Sequence, residues 1–134
     1  MIYRDTDQLN RILNQLFGQI AQDRQAVAKV AQARLVIRFR FSQPASEATI
    51  NGRKSPPEVI FGRDSVREDL EIDLLADSFH QVMMGELPLG KAYGSKKIQV
   101  RGPIWKSFVL ADLFHSGQRI YPAIWGDFQA GRIV

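Results

Sequence analysis

Three short segments of this chain alternate apolar and charged residues, and their charged faces differ in sign. Residues 34–41, RLVIRFRF, place Leu35, Ile37, Phe39 and Phe41 on one face and Arg38 and Arg40 on the other. Residues 69–75, DLEIDLL, set Leu70, Ile72 and Leu74 against Asp69, Glu71 and Asp73. Residues 97–101, KIQVR, set Ile98 and Val100 against Lys97, Gln99 and Arg101. Alternation with period two is the pattern of a half-buried strand. Opposite charges facing each other across neighbouring strands attract, and like charges repel. The acidic strand therefore belongs between the two basic ones. With EATIN (47–51) and EVIF (58–61) as second and third strands, this predicts the order first–fourth–fifth at one side of an antiparallel or mixed sheet. One face of that sheet is wet and helices cover the other.

The rest of the chain supplies the cover. From residue 6 to about 32, Leu9, Ile12, Leu13, Leu16, Phe17 and Ile20 form one apolar stripe at helical spacing, extended by Val27 and Val30. Asp5 or Thr6 can cap its start, with Gln8 three residues after Asp5. Gly18 is the expected bend. Asn51-Gly52 signals a turn, so residues 51–55 form a hairpin tip or loop. Asp77 or Ser78 can cap a helix over 78–84, closed by Gly85. A turn at 86–90 and a short helical turn around Lys91-Ala92-Tyr93 come next. Gly102-Pro103 stops the fifth strand and starts a helix that is apolar from Ile104 to Phe114. Gly117, Pro122, Gly126 and Gly131 break up the C-terminal tail, although Tyr121, Trp125 and Phe128 predict that it packs on the body.

Length and composition narrow the function. A chain of 134 residues suits one domain with a real core. No window is apolar enough to cross a membrane, and the opening residues carry Arg4, Asp5 and Asp7 without an apolar run, so no secretory signal is expected. The absence of cysteine removes disulfides, thiol catalysis and thiolate metal sites, and fits a cytoplasmic setting. The net charge of +4 comes from twelve scattered arginines and six lysines against fourteen acids. Without a basic stripe interleaved with aromatics, nucleic acid is not an expected partner. Contact with an anionic membrane surface stays open.

No constellation for bond-making chemistry is present. His80 and His115 are far apart in sequence and read as a boundary imidazole and a helix-end cation. Neither a nucleophile elbow nor a phosphate-binding glycine loop occurs. Asp69, Glu71 and Asp73 read as charge partners of neighbouring strands. No catalytic residue, metal site or cofactor is therefore expected.

Residues 68–114 resemble the sterol carrier protein 2 lipid-binding family. The resemblance rests on the acidic alternating strand DLEIDLL, the helix entered through Asp77 and Ser78 with Phe79 in its first turn, and Gly85-Glu86-Leu87 at its end. It continues through Ala92-Tyr93-Gly94, the strand Lys97-Ile98-Gln99-Val100-Arg101-Gly102, and Ala111 and Leu113 in the next helix. Pro103 departs from the family, which often has an acid there. The terminal Gly131-Arg132-Ile133-Val134 is not the Ser-Lys-Leu-type peroxisomal signal of many eukaryotic members.

The resemblance implies an α+β fold: a five-stranded, mostly antiparallel or mixed sheet, covered on one face by helices that enclose an apolar tunnel. It implies one lipid-binding domain over 1–134, with 117–134 as a packed aromatic extension. The implied ligand is a fatty acid, acyl-CoA, phospholipid or sterol-like lipid, bound without chemistry. The implied lining is Ile37, Phe39 and Phe41 from the first strand, Ile72 and Leu74 from the fourth, and Ile98 and Val100 from the fifth. Phe79, Val82, Met83, Leu87, Tyr93, Trp105, Phe108 and Val109 complete it from the helices and turns. The alternative for each is an ordinary packed core. Arg53, Lys54, Lys91, Lys96 and Lys97 are candidates for an anionic headgroup. Two alternatives stay open: an accessory protein presenting a hydrophobic intermediate to a partner enzyme, and a structural homodimer whose pocket is filled by its own side chains.

Overall fold

A computed structural model describes residues 1–62 and 64–132. Arg63 lies outside them, as do Ile133 and Val134 at the end of the Gly-Arg-Ile-Val terminus. Two helices, α1 (Thr6–Gln22) and α2 (Arg24–Ala33), lead into β1 (Val36–Ser42), β2 (Ser46–Asn51) and β3 (Glu58–Phe61). Then come β4 (Leu70–Leu75), α3 (Ala76–Met83), α4 (Leu89–Gly94), β5 (Ile98–Arg101), a 3-10 helix (Ile104–Val109) and α5 (Leu110–Gln129).

The five strands form one mixed sheet in the order β3-β2-β1-β4-β5, so the acidic strand does lie between the two basic ones. β1 and β4 run parallel, and the other pairs antiparallel. Arg40 reaches Glu71 at 2.6 Å and Glu47 at 3.4 Å, and Arg101 reaches Asp73 at 3.0 Å. The ladder is incomplete, because Arg38 turns away to Asp64, Glu68 and the Val66 carbonyl. Asp69 leaves it too: its carboxylate accepts from the Val36 amide and from Lys106, with Arg53 at 3.4 Å. Lys97 precedes β5 and forms no ion pair among the described residues. Arg40 holds the Glu71 carboxyl below its ordinary pKa, whereas burial, with Glu71 nearby, raises that of Asp73.

The opposite face is dry. Ile37, Phe39, Ile50, Ile72 and Ile98 are all buried on it, and Phe17 of the α1 stripe, whose six apolar residues are also buried, meets Phe39 edge-on. Asp5 caps α1 by accepting from the Gln8 amide. The bend expected at Gly18 falls instead at Asp23, because a carboxylate there satisfies more than a glycine can. It caps α2 through the Ala26 amide and accepts from Ser116 and Arg119 of α5, each at 2.8 Å. Ser116 leads the groups that hold the Asp23 carboxyl below its usual range. Gly52 is needed for a close approach: its amide donates to the Leu35 carbonyl at 2.7 Å, and a Cβ would stand 2.6 Å from the Leu35 and Val30 oxygens.

Two further expectations need correction. Neither Asp77 nor Ser78 caps α3, which starts earlier, behind Leu75. Asp77 instead accepts from the Ile2 amide at 2.9 Å and ties down the N-terminus. Gly85 closes α3 as expected, at φ +77°. The tail is not broken at Gly117, Pro122 and Gly126; α5 runs through all three. Gly117 marks a helix crossing, since a Cβ there would sit 2.5 Å from the Met83 sulfur of α3. Packing against α1, α2 and α3 overrides the weak local propensity.

Candidate functional site

The sheet, α3 and α5 leave two apolar spaces. The larger is a groove of about 420 Å³ beside the edge strand β5. Leu89, Gly90 and Tyr93 of α4 form one wall, Ile98 and Val100 the floor, and Ile104, Ser107, Leu110, Ala111 and Phe114 the other wall. The smaller space, about 10 Å³, is enclosed by Phe17, Ile20, Phe39, Ile50, Phe79, Met83, Leu113 and Phe114. It holds about one water-sized sphere. Phe114, buried at 2% exposure, lines both and is the partition between them.

Of the positions implied as lining, Tyr93, Ile98 and Val100 meet in the groove, and Phe39, Phe79 and Met83 meet around the inner space. Ile37, Phe41, Ile72, Leu74, Val82 and Val109 are buried in the core without bordering either. Leu87 is half-buried, and Trp105 and Phe108 are exposed. Their direction follows from the 3-10 geometry. At three residues per turn, positions three apart eclipse, so Trp105 and Phe108 share an outward side. The partition residue Phe114, with Ile104 and Leu110, was signalled only as part of a general apolar face, and Leu89 only as part of a turn.

The groove's polar content is low. The Ser107 hydroxyl donates to the Ile104 carbonyl at 2.6 Å. Lys91, Lys96 and Lys97 stand on α4 and the turn between α4 and β5. Arg53, by contrast, is engaged with Asp69. Burial would raise the Asp69 carboxyl, but the Val36 amide, Lys106 and Arg53 together hold it below its ordinary range.

At the far end of α5 the apolar contact is closed. Tyr3 and Tyr121 share a 2.6 Å hydrogen bond between hydroxyls, and Tyr121 makes another of 2.6 Å to His80 Nδ1. Trp125 meets the His80 ring edge-to-face, with ring centres 4.6 Å apart. His80 is buried rather than at the boundary, because the N-terminal segment and α5 fold over it. Burial lowers the imidazole pKa and raises those of both phenols, so all three are neutral near pH 7. His115 is exposed within α5 rather than at a helix end. Among the described residues no cluster of His, Asp and Glu could hold a metal ion.

No family model matches the chain, and no curated protein sequence does. Solved structures do. The sterol carrier protein domain 2 of Helicoverpa armigera superposes with TM-score 0.62 at 17% identity, covering 81% of this chain and 85% of that one. Sterol carrier protein 2 from Yarrowia lipolytica gives 0.58 at 18% identity, over 81% and 88%. The chain has the sterol carrier protein 2 fold. The same fold also occurs within a larger protein. The stereoselective inverting sec-alkylsulfatase from Pseudomonas sp. matches at TM-score 0.55 and 14% identity, covering 76% of this chain but 16% of the sulfatase. In the sterol carrier protein 2 fold seen here, β5 and the 3-10 helix frame the open groove, while α5 spans from that groove to the closed cluster around His80.

Proposed function

We propose that this chain is a cytoplasmic, non-catalytic lipid-binding domain spanning residues 1–134, which sequesters or transfers an acyl-chain-like or sterol-like ligand. The observation that carries the reading is the groove beside β5, an apolar space of about 420 Å³. That volume falls within the roughly 300–1,000 Å³ typical of small-molecule sites. A chain of roughly sixteen carbons offers on the order of 12 kcal/mol gross at about 0.8 kcal/mol per buried methylene. Association and ordering remove much of it, leaving binding near about −8 kcal/mol, or micromolar. The tail enters along Ile98 and Val100. Rotation of Phe114 joins the groove to the inner space, and Phe39, Phe79 and Met83 become walls of one tunnel. Lys91, Lys96 and Lys97 receive an anionic headgroup at the mouth.

Displacement of a fluorescent fatty acid from delipidated protein tests this. Micromolar competition by fatty acid, acyl-CoA or a sterol is expected; a protein that takes up none of them overturns the reading. The sulfatase likeness supports a second reading, in which the domain presents a hydrophobic substrate to a partner enzyme. A stable enzyme complex recovered with the protein would favour it.

A further inference from the structure

The groove opens onto a face with chemistry of its own. Ile104 is 79% exposed, Trp105 69%, Tyr93 54% and Phe108 48%, all on α4 or the 3-10 helix. Among the described residues the other large exposed apolar side chains are Met1, Phe61 and Leu75, which are far from one another in sequence. From Leu89 to Phe108 the chain carries five cations, Lys91, Lys96, Lys97, Arg101 and Lys106, and no acid. Arg101 and Lys106 are drawn back to Asp73 and Asp69. Lys91, Lys96 and Lys97 have no ion-pair partner among the described residues.

An exposed apolar patch rimmed by charge marks an interaction surface. Its composition selects the partner. Trp and Tyr are stable where one end of the ring is apolar and the other wet, which is the level of lipid headgroups. Unpaired lysines beside them attract an anionic leaflet, each by roughly fivefold in partitioning near the surface. A second copy of the chain fits poorly: a two-fold contact sets a patch against itself, and this one would face cations with cations. A nucleic acid would satisfy the lysines but offers an exposed Ile104 nothing to bury against.

We propose that the face formed by Tyr93, Ile104, Trp105 and Phe108, rimmed by Lys91, Lys96 and Lys97, docks on an anionic lipid bilayer with the groove mouth towards it. Docking stands on exposure and charge alone. Its purpose, passing a lipid between bilayer and groove without crossing water, rests on the proposed lipid-binding function.

Co-sedimentation with phosphatidylcholine vesicles, with and without phosphatidylglycerol, tests docking, and fatty-acid uptake by the wild type is measured in parallel. Binding to the phosphatidylglycerol vesicles should exceed that to neutral ones at least tenfold and weaken with salt. Lys96→Gln with Lys97→Gln should lower it roughly tenfold or more, and Trp105→Ala by a similar factor. All three side chains are exposed, so thermal melts should not move. Lipids brominated near the headgroup should quench Trp105. Equal binding to both vesicle types, no binding, equal binding to an oligonucleotide, or a dimer that shields Trp105 would each overturn docking. Vesicle binding without fatty-acid uptake would leave docking standing and overturn the lipid-binding reading; uptake without vesicle binding would do the reverse.

Discussion

At its C-terminal half α5 presses Tyr121 and Trp125 against Tyr3 and His80, whereas at its first turns Leu110, Ala111 and Phe114 border empty space. Both ends are apolar and aromatic. They differ in what lies over them. The N-terminal segment folds across the first, held by the Ile2 amide on Asp77 and by the Tyr3–Tyr121 bond. The second is flanked by the short α4 and by the 3-10 helix, whose Trp105 and Phe108 point outward. Buried area at the closed end stabilises the fold, and apolar area left open at the other end is available to a ligand.

Substitutions can break that contrast. The largest effect is expected for Phe79→Asp. Phe79 packs edge-on against Phe41 and Tyr121 at 1% exposure, and an unpaired carboxylate there should cost more than about 4 kcal/mol. Urea denaturation should find the variant largely unfolded, so this position reports on the core before it reports on ligand. Next is Gly117→Ala, whose methyl meets the Met83 sulfur. Overpacking of about 1–3 kcal/mol should lower the melting temperature, and Met83→Ala should partly relieve it in the double variant.

Tyr121→Phe strips the Tyr3 hydroxyl and His80 Nδ1 of their shared partner, at about 1–3 kcal/mol by denaturant titration. The same cluster sets a pH dependence. His80 is depressed in the folded state, so above about pH 6.5 neither state is protonated and its contribution is constant. Below that, the unfolded chain takes up the proton first, and stability should fall with pH down through the folded-state pKa. His80→Phe should flatten that slope; an unchanged slope would contradict the cluster's role. The smallest stability effect is expected for Ala111→Trp at the open end, within about 0.5 kcal/mol by thermal melt, because the new ring enters the groove instead of the core.

The sheet was legible because its signals are local. Alternation in RLVIRFRF, DLEIDLL and KIQVR names the strands, and charge sign orders them. Arg38 escaped the predicted ladder because its partners lie in the irregular 64–68 segment, which has no periodicity to read. Helix α5 was hidden because Gly117 and Pro122 look like breakers until α3 is seen to need the missing side chain. The groove was half legible. Apolar alternation places Ile98 and Val100 on the covered side of the sheet and the family resemblance adds Tyr93, but pattern alone cannot say which apolar residue borders space. That depends on how far the 3-10 segment holds α5 from β5, and so Phe114 emerged only in three dimensions.

The central claim is that the open end of α5 holds a lipid tail. Native mass spectrometry of delipidated protein with palmitate, comparing wild type with Ala111→Trp, tests it most directly. One bound palmitate on the wild type, lost in an equally stable Ala111→Trp variant, is the predicted result. Equal uptake by both proteins, or none by the wild type, would contradict it.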